Sequence, residues 1–123
     1  MARILVIEDD ASLRKVYATI LAKEGFDVRT ANDGTDGLRQ ANELTPDLIL
    51  LDMMMPGLNG VEFLREYDIP GKHPEVRVIA FSNSDRPEFI AESTKLGARR
   101  YLTKYNFSPK EMVRLVREAL AAP

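Results

Sequence analysis

Asp47-Leu48-Ile49-Leu50-Leu51-Asp52 is an apolar run without polar alternation, bracketed by two aspartates. A strand covered on one face alternates; a continuous run is expected of a central strand covered by helices on both faces. Working outward, short β-rich runs alternate with longer segments of helical period, the signature of βαβ units and a parallel sheet. N-terminal to the central run, residues 4–7 read as a first strand. A helix follows whose Leu13, Val16, Ile20 and Leu21 fall at helical spacing, with Gly25 as its stop. Residues 26–31 give the second strand, Asn32-Asp33-Gly34 breaks the chain, and Leu38, Ala41 and Leu44 line a second helix before Pro46.

On the C-terminal side, the Pro56-Gly57-Leu58-Asn59-Gly60 loop leads to a short helix carrying Val61, Leu64 and Tyr67, closed by a polar turn through Pro70, Gly71 and Pro74. Residues 76–81 are strand four. Asp85 with Glu88 is a capping pair for a fourth helix that Gly97 ends, and residues 99–103 are strand five. Ser108-Pro109-Lys110-Glu111 is a second capping box with proline at the first helical position, and Met112, Leu115, Val116, Ala119 and Leu120 follow at helical spacing. Five strands and five helices in strict alternation imply an α/β, doubly wound parallel sheet, because right-handed crossovers place helices on both faces.

The 123 residues are the size of one domain, 1–123, with a single core. Hydrophobic residues at 45% and charged residues at 29% fit a soluble globular protein. A net charge of -2, with 17 basic residues scattered among 19 acidic ones, gives no basic stripe for direct nucleic-acid binding. The absence of cysteine removes disulfides and zinc–thiolate sites and fits a reducing compartment. The first apolar run meets Glu8 too soon for a signal peptide and no long apolar segment follows, so a cytoplasmic protein without membrane insertion is expected. Ala121-Ala122-Pro123 reads equally as a terminus or as the start of a linker.

In doubly wound sheets the ligand site lies beyond the carboxyl ends of the strands. Strand one ends in Glu8-Asp9-Asp10, strand three in Asp52, strand four in Ser82 and strand five in Lys104. Converging Glu8, Asp9 and Asp52 repel, by roughly 3 kcal/mol for unit charges ~5 Å apart at an effective dielectric of ~20. A hard divalent cation with oxygen ligands offsets that, and so few carboxylates suit Mg²⁺ better than a crowded calcium cage. Lys104 neutralises one charge more. A carboxylate between two cations is placed to attack a phosphoryl group. Asp52 is then the nucleophile, Asp9 and Asp52 direct ligands, Glu8 a ligand through water, and the main-chain carbonyl of Met54 the last protein ligand. Ser82 donates a hydrogen bond to a phosphoryl oxygen. Blander roles suit the rest: Asp10 caps the first helix, His73 is a surface residue, and Met53, Met54 and Met55 are packing residues after a buried strand.

The pattern resembles the receiver domain of two-component response regulators, of the single-domain chemotaxis-regulator-like type, across essentially the whole chain. Ile4-Leu5-Val6-Ile7-Glu8-Asp9-Asp10 resembles the family's first strand and acidic pair, Asp47 through Gly60 its phosphoacceptor segment, and Tyr101-Leu102-Thr103-Lys104 its fifth strand. Ser82 falls where the family places a hydroxyl residue. The resemblance implies a flavodoxin-like (βα)5 three-layer sandwich with strand order 2-1-3-4-5. It also implies that Asp52 is phosphorylated from a phosphohistidine on a sensor kinase or phosphotransfer protein, with Mg²⁺ as cofactor. Ser82 then turns toward the phosphoryl group and Tyr101 rotates inward, reshaping the face of helix four, strand five and helix five for an output partner or a phosphorylation-dependent homodimer. The implied role is signalling, not chemistry on a metabolite.

Two positions depart from the family. Tyr105 and Asn106 follow Lys104 where proline is usual, so a trans bond and an altered loop are expected on the surface that also carries Tyr105 and Phe107. Asn83 replaces the usual alanine or glycine, and is expected to narrow access to Asp52 and slow small donors or water. Three rival functions stand beside the receiver. An aspartate-nucleophile phosphatase needs a second aspartate two residues after the nucleophile, where this chain has Met54. A flavin carrier needs a phosphate loop where this chain has Glu8-Asp9-Asp10, which repels phosphate. A docking-only receiver does not need every active-site position filled, as here.

Overall fold

The computed structural model describes residues 1–83, 87–104 and 107–122. Its elements run β1 (Arg3–Ile7), α1 (Ala11–Lys23), β2 (Asp27–Ala31), α2 (Gly34–Leu44), β3 (Leu48–Asp52), α3 (Gly60–Tyr67), α4 (Ile69–Lys72), β4 (Arg77–Ser82), α5 (Pro87–Lys95), β5 (Ala98–Thr103) and α6 (Pro109–Ala121). The strands form one parallel sheet in the order β2-β1-β3-β4-β5. β3 is buried at all five positions, as its unbroken apolar run requires.

Because successive side chains of a strand point to opposite faces, the sheet divides the core in two. Leu5, Ile7, Ile49 and Leu51 pack with Ala41, Phe63, Leu64 and Tyr67 from α2 and α3. Ile4, Val6, Leu48 and Leu50 pack with Tyr17 and Leu21 of α1 and Met112 and Val116 of α6. Burying each such side chain contributes about 1.5–3 kcal/mol before chain entropy is charged against it. The doubly wound parallel sheet is as read from the sequence, and its strand order is the one that the family resemblance implies. No helix among the described residues is long and apolar enough to cross a membrane.

Three local details differ. Val16 is 50% exposed, and Tyr17 takes its place against the core, meeting Phe81 edge-on at 5.4 Å. Leu13, Tyr17 and Leu21 form the inward row at spacings of four, so the helix is rotated relative to the expected face. The turn after α3 winds into one extra helical turn, α4. Asp68 adopts φ 57 as the last cap of α3, and its carboxylate accepts from Gly71 N at 3.1 Å, while Pro70 sits in the first turn where no amide is needed. His73 is half-buried and stacks flat on Tyr67, centroids 3.9 Å apart, so it is a packing residue and not a bare surface one.

Caps read from the sequence are in place where described. Asp10 caps α1 by accepting from Ser12 N and Leu13 N, and Ser108 Oγ accepts from Glu111 N at 3.2 Å. Asp85, Tyr105 and Asn106 lie outside the described residues, and with them the expected cap of α5 and the expected trans bond. The loop after β3 is closed by Gly60 N donating to Met53 O at 3.2 Å. A Cβ at Gly60 would stand 2.6 Å from Met53 Cα, so only glycine permits this approach.

Candidate functional site

The ladder between strands continues past their ends and brings the terminal residues to one edge. Glu8 N donates to Ala31 O at 3.1 Å, Met53 N to Phe81 O at 3.0 Å, and Lys104 N to Ser82 O at 2.7 Å. Four of the residues singled out in the sequence meet there. Lys104 Nζ lies 2.9 Å from Glu8 Oε1 and 3.1 Å from Asp52 Oδ2. Carboxylate oxygens of Glu8, Asp9 and Asp52 all lie within 4.8 Å of one another. Glu8 and Asp52 are wholly buried and Lys104 nearly so, whereas Asp9 is exposed at the mouth.

Each anchor has a local cause. Asp52 Oδ1 accepts from Met54 N at 3.0 Å, leaving Oδ2 to Lys104. Glu8 Oε2 accepts from Asp10 N at 3.1 Å, so the residue that caps α1 also fixes the acidic turn. Arg14 reaches back one turn of α1 and donates from Nη1 to the Glu8 carbonyl at 2.8 Å. Sequence reasoning misses Arg14, because an arginine in a helix reads as a solvated residue; its one signal is its place a turn beyond the acidic pair.

Glu8 Oε1 is buried without a hydrogen bond of good geometry and lies 2.9 Å from the Lys104 ammonium. Burial, then a hydrogen bond with Asp52, raises the Glu8 carboxyl to about 8, so at neutral pH it retains a proton. Burial also raises Asp9, but hydrogen bonds with Asp52 and Glu8 outweigh it and hold Asp9 below its ordinary range. Burial lowers Lys104, and its contacts with Glu8 and Asp52 more than reverse that, keeping it charged. One amine against three carboxyl groups leaves a surplus of oxygen donors around an under-satisfied Glu8 oxygen. That donor set fits a hard divalent cation.

Ser82 ends β4, fully buried, with Asn83 exposed beside it. Tyr101 is half-buried in β5 and packs on the α2–α3 side of the core. Phe107 packs on the other side, its ring 6.3 Å from that of Tyr17. The three consecutive methionines separate: Met53 and Met55 are buried at 0% and 5% exposure, but Met54 is 49% exposed and is no packing residue.

The model of the response regulator receiver domain matches residues 4–117. Among curated relatives, the DNA-binding response regulator MtrA of Mycolicibacterium paratuberculosis is 42% identical over 118 residues, 96% of this chain and 51% of the relative. The phosphate regulon transcriptional regulatory protein PhoB of Escherichia coli is 35% identical over the same shares. The chain thus spans about half the length of the curated relatives it matches. Among solved structures, the chemotaxis protein CheY4 of Vibrio cholerae superposes with a TM-score of 0.88 at 27% identity, covering 97% of this chain and 98% of that one. The receiver domain of the Francisella response regulator 1452 gives 0.86 at 31% identity, covering 98% and 97%.

Proposed function

From the premise that the chain belongs to the response regulator receiver domain family, we propose that Asp52 is the phosphoacceptor of a histidine-to-aspartate phosphorelay. The observation that carries this is the buried Asp52 carboxylate, pinned by Met54 N on one oxygen and Lys104 Nζ on the other, inside the acidic cluster.

An Asp52 oxygen attacks the phosphorus of a phosphohistidine on a sensor kinase or phosphotransfer protein. The P–N bond breaks, and the imidazole leaves with the bonding pair and takes up a proton. The Lys104 ammonium, already against Asp52, stabilises charge on one phosphoryl oxygen, and the Ser82 hydroxyl donates to another. Mg²⁺, when bound by Asp9, Asp52 and the Met54 carbonyl with Glu8 acting through water, supplies the remaining neutralisation of the phosphoryl oxygens. Pinning both Asp52 oxygens fixes the line of attack, and burial keeps bulk water from competing.

The product is a mixed anhydride on the protein itself, so the chain turns over no metabolite. Ser82 drawn to the phosphoryl group vacates space for Tyr101, and the face of α5, β5 and α6, which is the helix four, strand five and helix five face of the sequence reading, changes shape for an output partner or a second copy. With a net charge of -2 and no basic stripe, we assign this segment the receiving role in the cytoplasm and no nucleic-acid contact of its own. A phosphatase is disfavoured because Met54, two residues past the nucleophile, has no proton to give a leaving group.

The test is incubation with Mg²⁺ and acetyl phosphate followed by intact mass. One added phosphoryl group, labile to hydroxylamine and absent from Asp52→Asn or without metal, is the expected result. No uptake from acetyl phosphate or from any phosphohistidine donor contradicts the proposal and leaves a docking-only receiver.

A further inference from the structure

Met54 is an oxidisable side chain next to the phosphoacceptor: we propose that peroxide converts its thioether to the sulfoxide and thereby shortens the life of the phosphoryl group on Asp52. The inference rests on the phosphoacceptor reading above and adds a redox input to it.

The sequence has five methionines and no cysteine, so thioethers are its only oxidisable sulfur. Met53, Met55 and Met112 are 0%, 5% and 2% exposed; only Met1, at 96%, and Met54, at 49%, face solvent. Selectivity is therefore set by burial, since peroxide must reach the sulfur. Met54 is also the residue whose N–H binds Asp52 Oδ1 at 3.0 Å, which keeps its Cα within about 4.5 Å of that oxygen. A flexible, half-exposed side chain is therefore rooted beside the phosphoacceptor.

The step balances without help from the protein. A sulfur lone pair attacks one oxygen of hydrogen peroxide, the O–O bond breaks, sulfur gains an oxygen and is oxidised by two electrons, and the peroxide is reduced to water. A weakly polar thioether becomes a strong hydrogen-bond acceptor. Its oxygen can take a hydrogen bond from a water approaching phosphorus, aiming the lone pair of that water. It also turns an apolar side chain rooted beside the carboxylate into a polar one that water wets. Both changes act in one direction, toward faster hydrolysis.

The test uses the whole chain, treated with hydrogen peroxide or untreated, phosphorylated with acetyl phosphate and Mg²⁺, freed of donor and followed by intact mass, with peptide mapping of each methionine. Oxygen is expected on Met1 and Met54 ahead of Met53, Met55 and Met112, with phosphoryl loss at least about threefold faster after oxidation. Met54→Leu, compared with its own untreated sample, is expected to show no change, which removes Met1 as the cause. Oxidation on the buried methionines first, or a Met54 sulfoxide protein that decays at the untreated rate, overturns the inference. Untreated protein that takes up no phosphoryl group overturns instead the phosphoacceptor reading beneath it.

Discussion

Lys104 is the residue on which the pocket depends, because one amine 2.9 Å from Glu8 and 3.1 Å from Asp52 makes two buried carboxyl groups tolerable. Lys104→Ala is expected to cost about 1–3 kcal/mol by urea denaturation, limited because Glu8 can hold a proton. The same proton gives stability a pH slope. Glu8 stands at about 8 in the folded chain against an ordinary 4.5, so the fold binds a proton that the unfolded chain releases. That stabilisation is full below about 4.5 and is lost as pH rises through about 8. Melts in the absence of divalent metal should therefore weaken across that window, by the order of a few kcal/mol, and Glu8→Gln should flatten the slope; an unchanged slope refutes the assignment. The acidic pair, Asp52, Ser82 and Lys104 were legible because each ends a strand. The proton on Glu8 and the Arg14 bond were not, since both arise from burial and from contacts that close only in the fold.

At the scale of elements, the loop from Met53 to Gly60 holds the Asp52 turn by close backbone approach. Gly60→Ala would force a Cβ to 2.6 Å from Met53 Cα and should cost about 2–4 kcal/mol while displacing the turn beside Asp52. Gly25→Ala, at φ +90 with open space around it, should cost only about 1 kcal/mol. Equal losses in the two variants would contradict this account of the loop. The strands and caps could be read from runs and punctuation, which are local. The phase of α1, with Tyr17 inward in place of Val16, and the extra turn α4 could not. Packing against β-sheet neighbours sets the first, and the Asp68 carboxylate bond to Gly71 creates the second.

Across the whole molecule, the sheet order gathers an acidic cluster and its lysine at a single edge, from residues as far apart in sequence as Glu8 and Lys104. A cation bound only by the folded chain should raise stability, by about 2.7 kcal/mol at a hundred times its dissociation constant. Mg²⁺ should therefore raise the melting temperature of the wild type but not of Asp9→Asn combined with Asp52→Asn. The doubly wound sheet was legible because alternating strands and helices with right-handed crossovers admit few arrangements, and it places the strand ends at one edge; the order of the strands came with the family resemblance. The most direct measurement is to phosphorylate the chain, reduce the acyl phosphate with borohydride, and map the homoserine formed. Homoserine is expected at position 52 alone; homoserine at position 9, 5-hydroxynorvaline at position 8, or an unmodified position 52 in phosphorylated protein would contradict the assignment.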